Sequence, residues 1–276
     1  MRSLLLAALL PAFLGAAFAA PKIVNPVISR SDDGVNEPAG ARYGAGDVLF
    51  FSCRIANYAK SPEQRVQLAY SVQALDPKGV PLMEIFKNEI AEEVAPQDKD
   101  WLPRISTEIA IPATVQPGAY KIAVNVEDLV AHATASLDVP FMVRGRVVPA
   151  TDKLTVQNFH YYRAEEDTKP LDQPVYKVGD SVWIRFDVTG FHYGPKNQVD
   201  LSYLFQVLAA DGSALWTAPE PVVDQGESFY PRSYVSGAFS IKVQSAVKPG
   251  EYAIGVKATD AVGKQTVEAR QPFTVQ

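Results

Sequence analysis

The side chains that could do chemistry in this 276-residue chain are few: one cysteine, three histidines and scattered carboxylates. A thiolate is a nucleophile and a metal ligand. Cys53 falls in the alternating run Leu49, Phe51, Cys53, Ile55, in phase with apolar neighbours, and reads as a small buried hydrophobe. Imidazole is a common zinc ligand, and two histidines recur in one tripeptide, Phe159-His160-Tyr161 and Phe191-His192-Tyr193. Their elements put them toward opposite ends of one strand-built unit, roughly 20 Å apart at ~3.3 Å per residue, too far for a shared ion. His132 reads as a turn residue.

Acidic groups recur at matching places: Asp32-Asp33 with Glu165-Glu166-Asp167, and Asp128 with Asp260. Calcium takes such hard oxygens, but the two kinds of cluster fall at opposite ends of a unit. At the junction between units the linker brings arginines instead, so Asp32 or Asp33 is expected to pair with Arg144 or Arg146. No metal site and no cofactor is assigned; calcium at the junction stays an open question. Gly-x-Ser-x-Gly, His-Glu-x-x-His, Cys-x-x-Cys and a Gly-rich phosphate loop are all missing from the sequence. No catalytic residue is assigned, and the chain is read as a non-enzyme.

Aromatics are the remaining candidates, since exposed rings stack on sugars or anchor protein partners. Tyr161, Tyr162, His192, Tyr193, Trp216 and Tyr230 lie at expected strand ends or loops and form the candidate binding group. Trp183 and Phe50 fall on the outward phase of their strands and are expected to form cross-strand aromatic pairs or to lie under the 82–104 and 215–235 segments.

The elements that must position these residues come from a repeat. Tyr43-Gly44-Ala45-Gly46-Asp47 matches Tyr176-Lys177-Val178-Gly179-Asp180. The same spacing holds through Val66/Val199, Tyr70/Tyr203, Gly79/Gly212 and Leu82/Leu215. After one residue of slippage it holds through Ile109/Ile241, Pro117-Gly118/Pro249-Gly250, Tyr120/Tyr252, Asp128/Asp260 and Pro140-Phe141/Pro272-Phe273. Within each copy apolar residues alternate, as in Val182, Ile184, Phe186 and Val188, and turn residues such as Asp76-Pro77-Lys78-Gly79 punctuate the runs. Period-two runs of this length predict an all-β chain of antiparallel sheets. Only Met83–Val94 suggests one or two helical turns.

Pro117-Gly118-Ala119-Tyr120 and Pro249-Gly250-Glu251-Tyr252 each precede a strand, a tight loop and a last strand ending Pro-Phe-x-Val. This resembles the tyrosine corner of immunoglobulin-like and fibronectin-III-like sandwiches, and the Tyr-x-x-Gly-Asp turn is similar to the start of strand B in bacterial Ig-like domains. The resemblance implies two tandem antiparallel Ig-like β-sandwiches, at 21–145 and 150–276. The disulfide of antibody domains has no second cysteine to form it.

Residues 1–20 read as a signal peptide: Arg2, then an uncharged apolar run from Leu4 to Phe18, then the Ala17-Phe18-Ala19 cleavage pattern. No later segment reads as a membrane span. A net charge of −5 argues against nucleic acid, which needs a basic stripe. The expectation is a secreted or periplasmic, non-catalytic interaction or envelope-associated protein that binds a protein or an envelope polysaccharide through loops and sheet edges. The alternatives are a carbohydrate-binding accessory protein using the aromatics and, behind it, a hydrolase with an unrecognised site. Strand addition to a client is a further option that requires an exposed edge strand.

Overall fold

The computed structural model describes residues 20–38, 40–98 and 100–276, so the segment read as a signal peptide lies, Ala20 apart, outside the described residues. Among these the chain is all β, with two single-turn 3-10 helices and no α-helix. The first half contains β1 (Lys22–Ser29), β2 (Arg42–Gly44), β3 (Val48–Ala56), β4 (Arg65–Leu75), β5 (Phe86–Glu93), β6 (Arg104–Ala110), β7 (Gly118–Asp128) and β8 (Ala133–Arg144). The second half contains β9 (Thr155–Tyr162), β10 (Val175–Tyr176), β11 (Ser181–Thr189), β12 (Val199–Ala209), β13 (Ala214–Thr217), β14 (Val222–Gly226), β15 (Val235–Lys242), β16 (Gly250–Asp260) and β17 (Gln265–Val275).

Sheet order is the same in both halves. The smaller sheets run β1-β3-β6 and β9-β11-β15; the larger run β2-β8-β7-β4-β5 and β10-β17-β16-β12, with β13 and β14 sharing the outer edge of β12. Pairing is antiparallel except where the short β2 and β10 lie parallel to β8 and β17. In each half the inward phases of the two sheets meet in a separate core. Leu49, Phe51, Cys53 and Ile55 face Val66, Leu68, Ile122 and Val124 in the first; Val182, Ile184, Phe186 and Val188 face Leu201, Phe205, Ile254 and Val256 in the second. Layers of this kind are compatible with β-sandwich folds.

Local backbone features also recur at matched positions. Asn25 and Asn158 both have positive φ, at the register shifts of β1 on β3 and of β9 on β11. His132 and Lys264 sit at φ 52° at the tips of the last hairpins. The Tyr120 hydroxyl donates to the Gln116 carbonyl at 2.7 Å, and the Tyr252 hydroxyl to the Lys248 carbonyl at 2.8 Å.

Asp128 and Asp260 are buried staples rather than ion ligands. Asp128 accepts the backbone N–H groups of Ala59, Val130 and Ala131 at 2.6, 2.9 and 3.0 Å. Asp260 accepts those of His192 and Gly263 at 2.9 and 3.0 Å. Each carboxylate thus ties a last hairpin to the loop that follows β3 or β11.

One local expectation fails. Most of Met83–Val94 is the edge strand β5, paired with β4 from Phe86↔Val72 to Arg65↔Glu93. Phe86 and Ile90, which pack on the core, are four apart, a spacing that fits both a helix turn and a strand face. The free edge of β4 decides for the strand.

Replacing Asp128 by Ala strands three N–H donors, each costing ~1–3 kcal/mol if left unpaired. With partial rescue by water, Asp128→Ala is expected to lower unfolding free energy by about 2–4 kcal/mol in urea denaturation. A loss below ~0.5 kcal/mol would show that solvent replaces the carboxylate without cost.

Candidate functional site

The six candidate residues do not form one patch. Tyr161 and Tyr162, expected at an accessible strand end, are buried at 2% and 9% exposure. Consecutive strand residues face opposite ways, so Tyr161 enters the core, where its hydroxyl reaches the Gln271 carbonyl and the Ile254 N–H. Tyr162 points outward but lies under the Arg185 guanidinium, 4.4 Å from its ring centre. Arg185 is held there by the backbone carbonyls of Glu165 and Asp167, so the acidic 165–167 segment acts through its main chain.

His192, Tyr193 and Tyr230 share the end of the second half that meets the first, with Tyr193 and Tyr230 linked through the 226–235 loop. The Tyr193 hydroxyl donates to the Arg232 carbonyl at 2.6 Å, and the Asn197 side-chain amide donates to the Ser228 and Phe229 carbonyls. These bonds shape the 226–235 loop so that Tyr230 packs against the first core, its hydroxyl donating to Asp76 at 2.9 Å. Ser233 donates to the Thr114 carbonyl, and Gln116 exchanges hydrogen bonds with the backbone of Val148. Tyr230 is therefore a docking residue between the halves. Burial and the Asp76 carboxylate push its pKa up.

The connecting segment adds an ion pair at this junction. Arg146 makes a two-point ion pair with Asp187 of β11, whose carboxylate is buried and also accepts from Asn158 at 2.7 Å and Ser236 at 2.8 Å. This corrects the expected pairing of a linker arginine with Asp32 or Asp33. The 32–34 loop folds back over the β1-β3-β6 sheet, and Asp33 pairs with Arg104 instead. The only sequence signal for the true partner was an acid on the outward phase of β11, opposite a position occupied by Arg54 in the first copy.

Trp216 lies at the far end of the second half, beside an apolar cleft of about 460 Å³. The cleft opens between the two sheets and is lined by Val182, Val207, Ile241, Val247, Phe273 and Trp216, among others. The Trp216 ring stacks on Phe239 (6.0 Å, 25°), which stacks on Phe205 (4.4 Å, 10°), so one indole face is anchored while 38% of the residue stays exposed. Along strand β12, Val207 beside Trp216 and Val199 near the junction are roughly 26 Å apart at ~3.3 Å per residue.

Among the described residues no group of three or more His, Cys, Asp or Glu could hold a metal. His192 Nδ1 lies 2.8 Å from the Gln265 amide, and His160 is exposed on β9. Cys53 is buried, and burial pushes its thiol up to about 12. Among the described residues no helix is long and apolar enough to cross a membrane.

No protein-family model matches the chain, and no curated protein does. Among solved structures, a family 123 glycoside hydrolase from Clostridium perfringens, studied for glycolipid glycan hydrolysis, overlaps 45% of this chain at 14% identity with a TM-score of 0.28. The chain spans only 27% of that protein's length. So loose an overlap bears on neither fold nor activity.

Two outcomes follow from the site geometry. Asp187→Ala is expected to cost about 2–3 kcal/mol, below the ~3–5 of a fully buried pair because Arg146 is half exposed; chemical denaturation measures it. With its thiol titrating near 12, Cys53 should ignore a thiol reagent at pH 8 in the native protein and react fully in denaturant. Labelling of the native chain at a free-cysteine rate would refute the burial.

Proposed function

We propose that this chain is a secreted or periplasmic, non-catalytic interaction protein, built of two tandem Ig-like β-sandwiches at 21–145 and 150–276 behind a cleaved signal peptide. Support for the Ig-like assignment comes from the matched sheet orders and from the two tyrosine hydroxyls that bond back to the carbonyl four residues upstream. Support for binding comes from the second half's outer edge.

The two halves treat their equivalent edges differently. Strand β5 ends the first larger sheet with Lys87, Glu89, Glu92 and Glu93, charges that discourage another strand from pairing. The second sheet ends in β13 and β14, separated by Pro219 and Pro221. There Leu215, Trp216, Val222 and Val223 are 59%, 38%, 54% and 59% exposed. An apolar, lightly charged edge is a surface for a polypeptide partner, with main-chain pairing for affinity and pockets for side chains. That edge is the observation on which this reading rests.

Carbohydrate binding keeps one support, the half-exposed indole of Trp216. Tyr193, the other exposed ring of the candidate group, lies at the opposite end of the strands. The edge reading is therefore preferred.

The test is affinity capture from envelope extract, with the mature full chain as bait beside Val223→Lys and Trp216→Ala. A partner retained by the wild type and reduced at least about tenfold by Val223→Lys is expected, since a charge opposes strand pairing at an edge. Retention on polysaccharide gels abolished by Trp216→Ala, with no protein captured, would replace the reading with the carbohydrate one.

A further inference from the structure

The repeat supplies an internal control for the cleft beside Trp216. The first-half counterparts of its lining are shut: Leu49, Ala74, Ile109, Val115, Tyr120 and Phe141 are all buried. Two things close that end. Leu82 turns into the core, its N–H bonded to the Ala74 carbonyl at 2.9 Å, and the second half covers the rest through Tyr230. In the second half the matching leucine, Leu215, is drawn out into the β12–β13 hairpin, and the sheets stay parted around about 460 Å³ of apolar space.

The same comparison says what does not cover the cleft. The first half holds its neighbour through the side chains of Asp76 and Gln116; the matching positions are Ala209 and Lys248. The anchors for another sandwich docked in the same way are thus missing. Positive charge is gained around the cleft instead. Lys242, where the first half has Ala110, is the sole charged residue lining the cleft; it is exposed and makes no ion pair among the described residues. Lys248 stands on the adjoining turn. A pocket of a few hundred Å³, walled by aliphatic and aromatic side chains with few polar groups, is the usual form of a small-molecule site. Its depth between two sheets, rather than a flat exposed face, favours a single molecule over a bilayer surface.

We propose that this cleft binds a free anionic amphiphile, an alkyl or aryl carboxylate whose apolar body enters between the sheets beside Trp216 while its carboxylate meets Lys242 at the mouth. The cleft adjoins the edge that carries the partner-binding reading and shares Leu215 and Trp216 with it; Val223 belongs to the edge alone and Lys242 and Val247 to the cleft alone, so variants at those positions tell the two readings apart.

Isothermal titration of the full chain with decanoate tests it. Saturable binding of one molecule per chain is expected. Val247→Trp, which fills the cleft, should weaken decanoate at least about tenfold, as loss of a buried apolar body requires. Lys242→Glu, at an exposed position that leaves the fold intact, should weaken decanoate about fivefold and leave decan-1-ol within about twofold. Val223→Lys should leave decanoate unaffected. Absence of decanoate binding, binding that Val247→Trp and Lys242→Glu both leave unchanged, or equal losses for acid and alcohol in Lys242→Glu would overturn the proposal. So would capture by phosphatidylglycerol vesicles without binding of monomeric decanoate.

Discussion

Two sheets packed face to face enclose an apolar layer that is open at its ends, and each end has to be closed. Water cannot close it without leaving core side chains wet, at ~25 cal/mol for each Å² of apolar surface. The first half meets this constraint from within, by Leu82, and from without, by the loop bearing Tyr230. Its arrangement relative to the second half follows from that closure. Docking the loop brings Ser233 to the Thr114 carbonyl and Gln116 to Val148, and Arg146 of the connecting segment then lies over Asp187. Hydrogen bonds at a contact of this kind fix orientation more than they add net stability, so apolar closure drives the docking and the polar groups set its angle.

The buried acids make the same point from the polar side. Asp128, Asp260 and Asp187 are all fully or nearly fully buried, a position a carboxylate holds only when its oxygens are satisfied. Asp128 and Asp260 are satisfied by backbone N–H groups, Asp187 by Arg146, Asn158 and Ser236. Donors supplied this fully leave little capacity for an ion. In both copies the staple joins the last hairpin to the loop after β3 or β11, so it belongs to the repeated unit. The Asp187 cluster belongs to one copy: the matching position in the first is Arg54, and among the described residues a connecting segment reaches the smaller sheet of the second half, through Arg146.

Much of the architecture was legible because each strand has one wet and one dry face, which writes period two into the sequence. Phe86 and Ile90 were not legible, since a spacing of four satisfies both a helix and a strand. The binding candidates fared worse. Tyr161 and Tyr162 are consecutive strand residues, so one had to point inward, and the outward one is covered by Arg185 from another strand. The Arg146–Asp187 pair depends on the route of a linker that has no periodicity to read. Leu82 and Leu215 align as the same residue, and their identity hides opposite fates. Leu82 follows Pro81 and is drawn inward beside Ala74, whereas Leu215 is carried outward between pairings of its own hairpin.

The divergence of the two ends is where the duplicated structure becomes informative. A surface that faces only water gains nothing from keeping Leu215, Trp216, Val222 and Val223 apolar; polar replacements there would lower exposure of apolar area and the risk of self-association. The same chain shows that it can guard an edge, since β5 carries four charged residues among its eight. Only one of two equivalent edges is left apolar, and only one of two equivalent ends is left open. The open end also exchanges Asp76 and Gln116 for Ala209 and Lys248, and Ala110 for Lys242. These changes share a direction. They remove the groups that hold the neighbouring half and add positive charge around a dry cleft, which fits an occupant that is apolar, negatively charged and smaller than such a half.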